Sequence, residues 1–579
     1  MRDKLNLQNG KENIKLSPEG RENAYNIGML LFLAVGEIIY FKDVIFYGKT
    51  LGCAEDGLLI NMMLEHWHDV FHGELFFDTL RSFYPQTGTL GYSDILLGPG
   101  IIYSIIRDCG AGQFFALNYS LIILHILGSV FLLLSLRALG FSRRCGLLGV
   151  LLSFWSCSFS QMTWHLQFFS IAYIPMVVYG LLIAWKNRNA VFRKRLPYLI
   201  LSSSAVGIVF LSSFYTAYLS CVFVFCSGGL WFIASLIRDK KGLIGCLKGI
   251  CGYRKDILTW MLVLVPWMIL LLRIYLPAYS QLGSYSPDMT IALAPLPMDF
   301  FRTMSYAPIE LWLRSFLPFQ VDAEYQVLAE NIWFERSYGW SVMAIGIFLS
   351  SVIEAVKNRI CKKQILDVFF YASISIMFLY LLSCRYGHFC PWANIVGKIV
   401  PGAGAIRSTG RCLGIFLIPL SFCCCQWIAK LENRITRKQI VMVAEACIFM
   451  FLAVSAVSKR YMREDTGYYE QIISNCTQPP EECEVMLLGS LEPDAYYDLE
   501  INMITWMLAD QLKICTINGY TGNYPKGWDL GYLDQSSYIK AVDGWLDIKQ
   551  MTDLSNLYVY VPEHNIWLAY YDFRSLIEL

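Results

Sequence analysis

Apolar runs of about twenty residues, separated by short polar segments, recur along most of the chain, the length a helix needs to cross hydrocarbon while closing its own backbone hydrogen bonds. They fall at 25–46, 113–136, 145–162, 166–185, 196–215, 217–237, 257–276, 338–357, 364–384, 411–429 and 439–457, and predict about eleven spans. The first run is too long for the core of a cleaved leader and has no small-residue cleavage site after it, so it is expected to stay as a signal anchor. A shorter apolar run from Ile95 to Ile106 predicts a re-entrant or interfacial helix.

After residue 457 the pattern changes. Glu484-Val-Met-Leu-Leu-Gly and Leu557-Tyr-Val-Tyr-Val-Pro are short and strand-like, whereas Glu500 to Leu512 has helical spacing. The expected fold is therefore an all-α polytopic membrane bundle with a small C-terminal α/β domain outside the cytoplasm. The divisions are a cytoplasmic tail 1–24, a transmembrane region 25–457 with long loops 47–112, 277–337 and 385–410, and the domain 458–579.

Charge orients this arrangement. With the N-terminus inside, the segments 1–24, 137–146, 186–195, 238–256, 357–363 and 430–438 are cytoplasmic and hold 27 of the 47 lysines and arginines. The positive-inside rule then puts the tail outside and the protein in the plasma membrane as a multi-pass protein. Only 16% of residues are charged, 56% are hydrophobic and the net charge is +1, which leaves no basic face for nucleic acid and makes lipid the expected partner. Most of the nineteen cysteines stand in apolar runs and read as small hydrophobes; Cys476 and Cys483, in a polar loop, are the expected disulfide.

Chemistry concentrates in the outer loops. Glu55 and Asp56 follow the first span so closely that the chain holds them at the membrane surface, where a carboxylate can deprotonate a hydroxyl acceptor; the bland reading is a solvated loop. His68 and His72 stand one helical turn apart, a geometry for a divalent ion, the one cofactor the sequence admits; an amphipathic helix with its aromatics in lipid explains the same segment. Arg407 and Arg411 follow the turn Pro401-Gly402 and precede a span, which fits a phosphate site or, alternatively, arginines snorkelling to the interface. His165, Tyr173 and Tyr215 lie near span ends, where belt residues are common. Glu37, His125 and Arg273 are ionisable groups within spans.

These motifs, in order, resemble the GT-C superfamily of membrane glycosyltransferases, in particular the bacterial branch of YfhO-like and mannosyltransferase-like proteins. The resemblance rests on Ala54-Glu55-Asp56-Gly57, Phe83-Tyr-Pro85-Gln, Gly91-Tyr-Ser-Asp94, His165-Leu-Gln167, Leu211-Ser-Ser-Phe-Tyr215, Pro401-Gly402 to Arg407 and Arg411, and Ile517-Asn518-Gly519-Tyr520-Thr521-Gly522. It implies a polyprenyl-phosphate sugar donor, a glycan, lipid or cell-wall acceptor, and inversion at the anomeric carbon. It also implies Asp56 as base, Asp94 as a second acidic or metal-related group, Arg407 and Arg411 on the donor phosphate, and His165, Tyr215, Asn518 and Tyr520 around the cleft. Glu55 stands where relatives usually have glycine, so either neighbouring carboxylate can be the base. A lipid-linked glycan transporter or flippase is the competing reading, but it would put polar residues and broken helices at mid-membrane. An envelope-assembly scaffold would use the tail for docking.

Overall fold

The computed structural model describes residues 18–52, 54–283, 285–303, 305–316, 333–362, 368–458 and 463–577, so most of the expected tail 1–24 lies outside the described residues. The chain is mostly helical, and a helix occupies each of the eleven expected places. Among the described residues six helical stretches are long and apolar enough to cross a membrane: Gln113–Ala138, Arg143–Trp164, Leu166–Lys186, Phe214–Arg238, Arg254–Leu282 and Lys438–Val457. Thr409–Ile415 and Leu417–Arg434 form a further apolar pair bent by 45°. The remaining places are filled by Pro18–Tyr40, Phe192–Phe210, Val342–Lys362 and Val368–Ser383.

Large apolar side chains such as Phe225, Leu262 and Ile269 point outward from Phe214–Arg238 and Arg254–Leu282. A surface this apolar is matched by lipid, not by water, and the chain is an integral membrane protein on that ground.

The sequence pattern missed a break. Where two continuous spans are expected at 145–162 and 166–185, the helix Arg143–Leu152 gives way to three tight pieces, Cys157–Ser160, Gln161–Trp164 and Leu166–Ala172, before Tyr173–Lys186 resumes. Serines and a threonine carry the interrupted backbone: Ser156 accepts from Phe159 N–H at 3.1 Å, and Thr163 donates to the Ser160 carbonyl at 2.7 Å. His165 stands in the gap, between the second and third pieces.

The Ile95–Ile106 run forms the helix Leu97–Asp108, short as expected, packed on Ala54–Phe71. Gly100 lies against the Trp67 indole, whose Nε1 donates to the Ile95 carbonyl at 2.6 Å.

In the C-terminal part a four-stranded sheet runs Cys515–Thr516, Val485–Leu488, Leu557–Val561, Ile566–Ala569, parallel except for the last strand. Helices Leu499–Leu512, Gln535–Ile548 and Tyr570–Ile577 accompany it, and Trp545, Tyr538, Leu487 and Val559 fill the core. Residues 81–84 of the first long loop run beside this sheet: Thr516 N–H donates to the Arg81 carbonyl at 2.8 Å, and Tyr84 N–H to the Thr516 carbonyl at 2.9 Å. A second tie is made by Lys49–Leu51, which pairs antiparallel with Arg463–Asp465. The expected Cys476–Cys483 disulfide is absent, and both are free thiols. Their sulfurs turn to different backbone carbonyls, that of Thr477 for Cys476 and that of Val485 for Cys483.

Candidate active site

Asp56 enters the site through a tight backbone corner. The strand Lys49–Leu51 is held by Asn118, whose Oδ1 accepts from Leu51 N–H at 2.8 Å, and the chain then turns at Gly52 into the helix Ala54–Phe71. Gly52 has φ of +100° and its Cα faces Gly57; a Cβ there would lie 2.8 Å from the Gly57 Cα, so only glycine fits. Asp56 thus occupies the first turn of a helix, where the free N–H groups favour an anion.

Four side chains from distant parts of the chain form one line of alternating charge. Asp56 Oδ2 lies 2.7 Å from His165 Nδ1, and His165 Nε2 lies 3.2 Å from Glu335 Oε1 and 2.9 Å from Arg411 Nη2. Arg411 grips Glu335 with both Nε, at 2.9 Å, and Nη2. Ser408 Oγ donates to the same carboxylate at 2.6 Å. Burial and the Arg411 charge push the His165 imidazole down, but Glu335 and the hydrogen bonds to both carboxylates outweigh them and raise it above its ordinary value. Burial opposes the ionised form of Asp56, and the His165 hydrogen bond and charge overcome it, so its carboxyl sits below the usual range. Glu335 is likewise buried, and Arg411 and His165 hold it well below that range. Asp56 is therefore ionised at neutral pH. Its side chain is 25% exposed, and its Oδ1 has the Tyr520 hydroxyl at 3.5 Å.

The two arginines are placed differently. Arg411 is 4% exposed, committed to Glu335, and stacked over Tyr215 and Phe168. Arg407 has no carboxylate partner among the described residues, and its guanidinium lies over the Tyr285 ring at 5.5 Å. Tyr215 clamps the segment between them, its hydroxyl accepting from the backbone N–H of Arg407 at 2.8 Å and of Ser408 at 3.3 Å. Tyr285 in turn donates to the Gly522 carbonyl at 3.3 Å, so the 517–522 segment of the C-terminal part borders the site through both Tyr285 and Tyr520.

Other expected residues fall elsewhere. Asp94 accepts from Phe214 N–H at 2.7 Å and so caps the helix Phe214–Arg238; burial raises its carboxyl to about 6. Asn518 is buried within the C-terminal part, donating to Asn502 at 2.8 Å and Tyr538 at 3.0 Å. The side chain of Glu55 lies outside the described residues. His68 and His72 stand at the far end of the Asp56 helix. Glu335, missed in the sequence, is a single carboxylate in a long loop with no periodic or motif signal. Only its contacts with Arg411 and His165, 76 and 170 residues away, mark it.

No family model and no curated protein matches the chain. Among solved structures it is similar to the arabinofuranosyltransferase AftD from mycobacteria, at 12% identity and a TM-score of 0.40 over 81% of this chain and 30% of that one. It is also similar to ArnT from Cupriavidus metallidurans bound to undecaprenyl phosphate, at 11% identity and a TM-score of 0.37 over 85% of each chain. The apo state of that protein gives 12% identity and a TM-score of 0.37 over 93% of each chain. The chain spans less than a third of the length of AftD.

Proposed function

We propose that the chain is a membrane glycosyltransferase that moves one sugar from a polyprenyl-phosphate donor to a hydroxyl of an extracytoplasmic glycan, lipid or cell-wall acceptor, with inversion. The observation that carries this reading is the ionised, partly open Asp56, held by His165 and neighboured by a segment that presents Arg407 without a carboxylate. In the reaction the acceptor oxygen attacks the anomeric carbon and its proton passes to Asp56. The bond from that carbon to the phosphate oxygen breaks with its electron pair, and the polyprenyl phosphate departs. Arg407 offers a guanidinium fork to the developing phosphate charge. His165, fixed by Glu335 and Arg411, holds the base at one oxygen and leaves Oδ1 for the proton.

The Lys and Arg distribution supports an orientation with the N-terminus inside, which places this site on the outer face, where a lipid-linked donor and an envelope acceptor meet. The test is to incubate the purified chain in lipid with a panel of polyprenyl-phosphate sugars and follow release of polyprenyl phosphate. Release that depends on Asp56 is expected for at least one donor; a panel without turnover, on protein that stays folded, refutes the reading.

A further inference from the structure

The helix that carries Asp56 in its first turn ends at a second cluster, about 18 Å from Asp56 at 1.5 Å per residue. His68 lies in its last turn and His72 just beyond; facing them are Ser104 and Asp108, one turn apart on Leu97–Asp108. His72 Nε2 lies 3.2 Å from Asp108 Oδ1, His68 Nδ1 lies 3.7 Å from the same oxygen, and Ser104 Oγ lies 3.1 Å from His68 Nδ1. Ligand atoms of the two histidines and Asp108 all fall within 4.8 Å of one another. A tetrahedral shell with bonds of about 2.1 Å separates its ligand atoms by about 3.4 Å, so the observed distances bracket what an ion requires.

The chemistry of each donor fits as well. His72 Nδ1 is 2.8 Å from the His68 carbonyl, which can only accept. Nδ1 therefore carries a proton, the outer hydrogen bond that orients metal-bound histidines, and Nε2, beside Asp108, is the atom that would meet an ion. His68 Nδ1, with the Ser104 hydroxyl and Asp108 beside it, faces the same point. As an ion-pair cluster the arrangement gains little: His72 and Asp108 are exposed, and the two imidazoles, 4.4 Å apart, would repel if both were charged.

We infer that His68, His72 and Asp108 bind a divalent first-row transition ion of the zinc class, with the Ser104 hydroxyl beside it and the remaining position open to water. Two imidazoles and one carboxylate select such an ion over magnesium or calcium, which prefer all-oxygen shells. The ion would join the C-terminal ends of two packed helices, one of which carries Asp56 at its start.

The full-length chain, purified in detergent without a histidine tag and stripped with chelator, is titrated with Co²⁺ alone while the visible d–d bands are followed. One equivalent per chain is expected, displaced by Zn²⁺ and not by Mg²⁺ or Ca²⁺, with the melting midpoint rising by several degrees when Zn²⁺ is in excess. His72→Ala and Asp108→Asn, both at exposed positions, should each weaken binding by about 100-fold or more while the metal-free midpoint stays parental. Failure of the parental chain to bind Co²⁺ or Zn²⁺ at micromolar concentration overturns the site, as does unchanged binding in both variants. Should one variant melt early without metal, the other decides alone.

Discussion

Two histidine–carboxylate pairs in this molecule have the same 2.7 Å contact and opposite surroundings. Glu37 of the first helix meets His125 of Gln113–Ala138, and there every polar atom is closed. Glu37 Oε1 accepts from Trp155 at 2.9 Å and Ser129 at 3.2 Å, and His125 Nε2 donates to the Phe154 carbonyl at 2.8 Å. Tyr40, Phe41 and Phe159 wall in the imidazole, which is 0% exposed. Asp56 and His165, by contrast, belong to a longer line of charge that ends at Arg411, and the carboxylate keeps an open side. A closed pair pins helices together. An open pair, with its ionisation fixed by neighbours, can take and return a proton.

The sharpest break of this contrast is Asp56→Asn. It keeps the size of the side chain and a hydrogen bond to His165 but cannot accept a proton, so turnover should fall by about 100-fold or more, the scale of lost general-base help, with donor binding retained. Glu37→Ala should do the reverse. It strips partners from His125, Trp155 and Ser129 at once and should cost about 3 kcal/mol of stability, seen as a lower melting midpoint, while turnover per folded molecule stays parental. Equal loss of turnover in both variants would erase the distinction.

The arginines sharpen the same contrast at smaller scale. Arg407→Ala should raise the donor KM by about 10-fold, the loss of a charge-assisted hydrogen bond, with an unchanged melting midpoint. Arg407→Lys should recover part of this, because an ammonium lacks the two-pronged contact. Arg411→Ala leaves Glu335 buried without its cation and should lower the midpoint as well. If the two alanine variants behave alike in melting, the division between a free and a committed arginine fails.

The smallest effect concerns the seam between the C-terminal part and the Asp56 helix. Asp510 is buried there, and desolvation together with Asp69 and Glu65 raises its carboxyl to about 8, against the pull of Lys513 and Arg81; Glu74 also reaches Lys513 and Arg81. A carboxyl raised on folding holds a proton that the unfolded chain has released. Its contribution to stability therefore declines as pH rises from about 4 to about 8 and then levels off. The melting midpoint should fall by a few degrees over pH 5 to 8 in the parental chain and less in Asp510→Asn, and identical slopes would count against the raised carboxyl.

Much of the bundle was legible because a run of apolar residues has few ways to satisfy its backbone in lipid, and each expected span holds a helix. The strands at 485 and 557 and the helix at 499 were legible from their periods. Apart from the break around His165, what was hidden depends on contacts distant in sequence. The break around His165 is supported by serines that, in sequence, look like small residues of a continuous span. Asp94 read as a second acid, yet its oxygen caps the helix at Phe214, 120 residues on. Arg407 and Arg411 read as equals, and only the partner Glu335 separates them. The histidine pair lacked a third donor until Asp108 came beside it from the next helix.

The short pairing of Lys49–Leu51 with Arg463–Asp465 has a consequence for counting. Two segments zipped together lie on one side of any lipid sheet, and a chain that leaves a side and returns crosses an even number of times. The ten expected spans between these strands satisfy that parity, as do the six long helices taken alone, all of which fall between the same strands. Counting the bent pair as a seventh crossing without another partner does not. Between the two strands the crossings thus come in pairs, so that if the six long helices and Thr409–Arg434 all traverse the membrane, a further helix between the strands, such as Phe192–Phe210, Val342–Lys362 or Val368–Ser383, traverses it too.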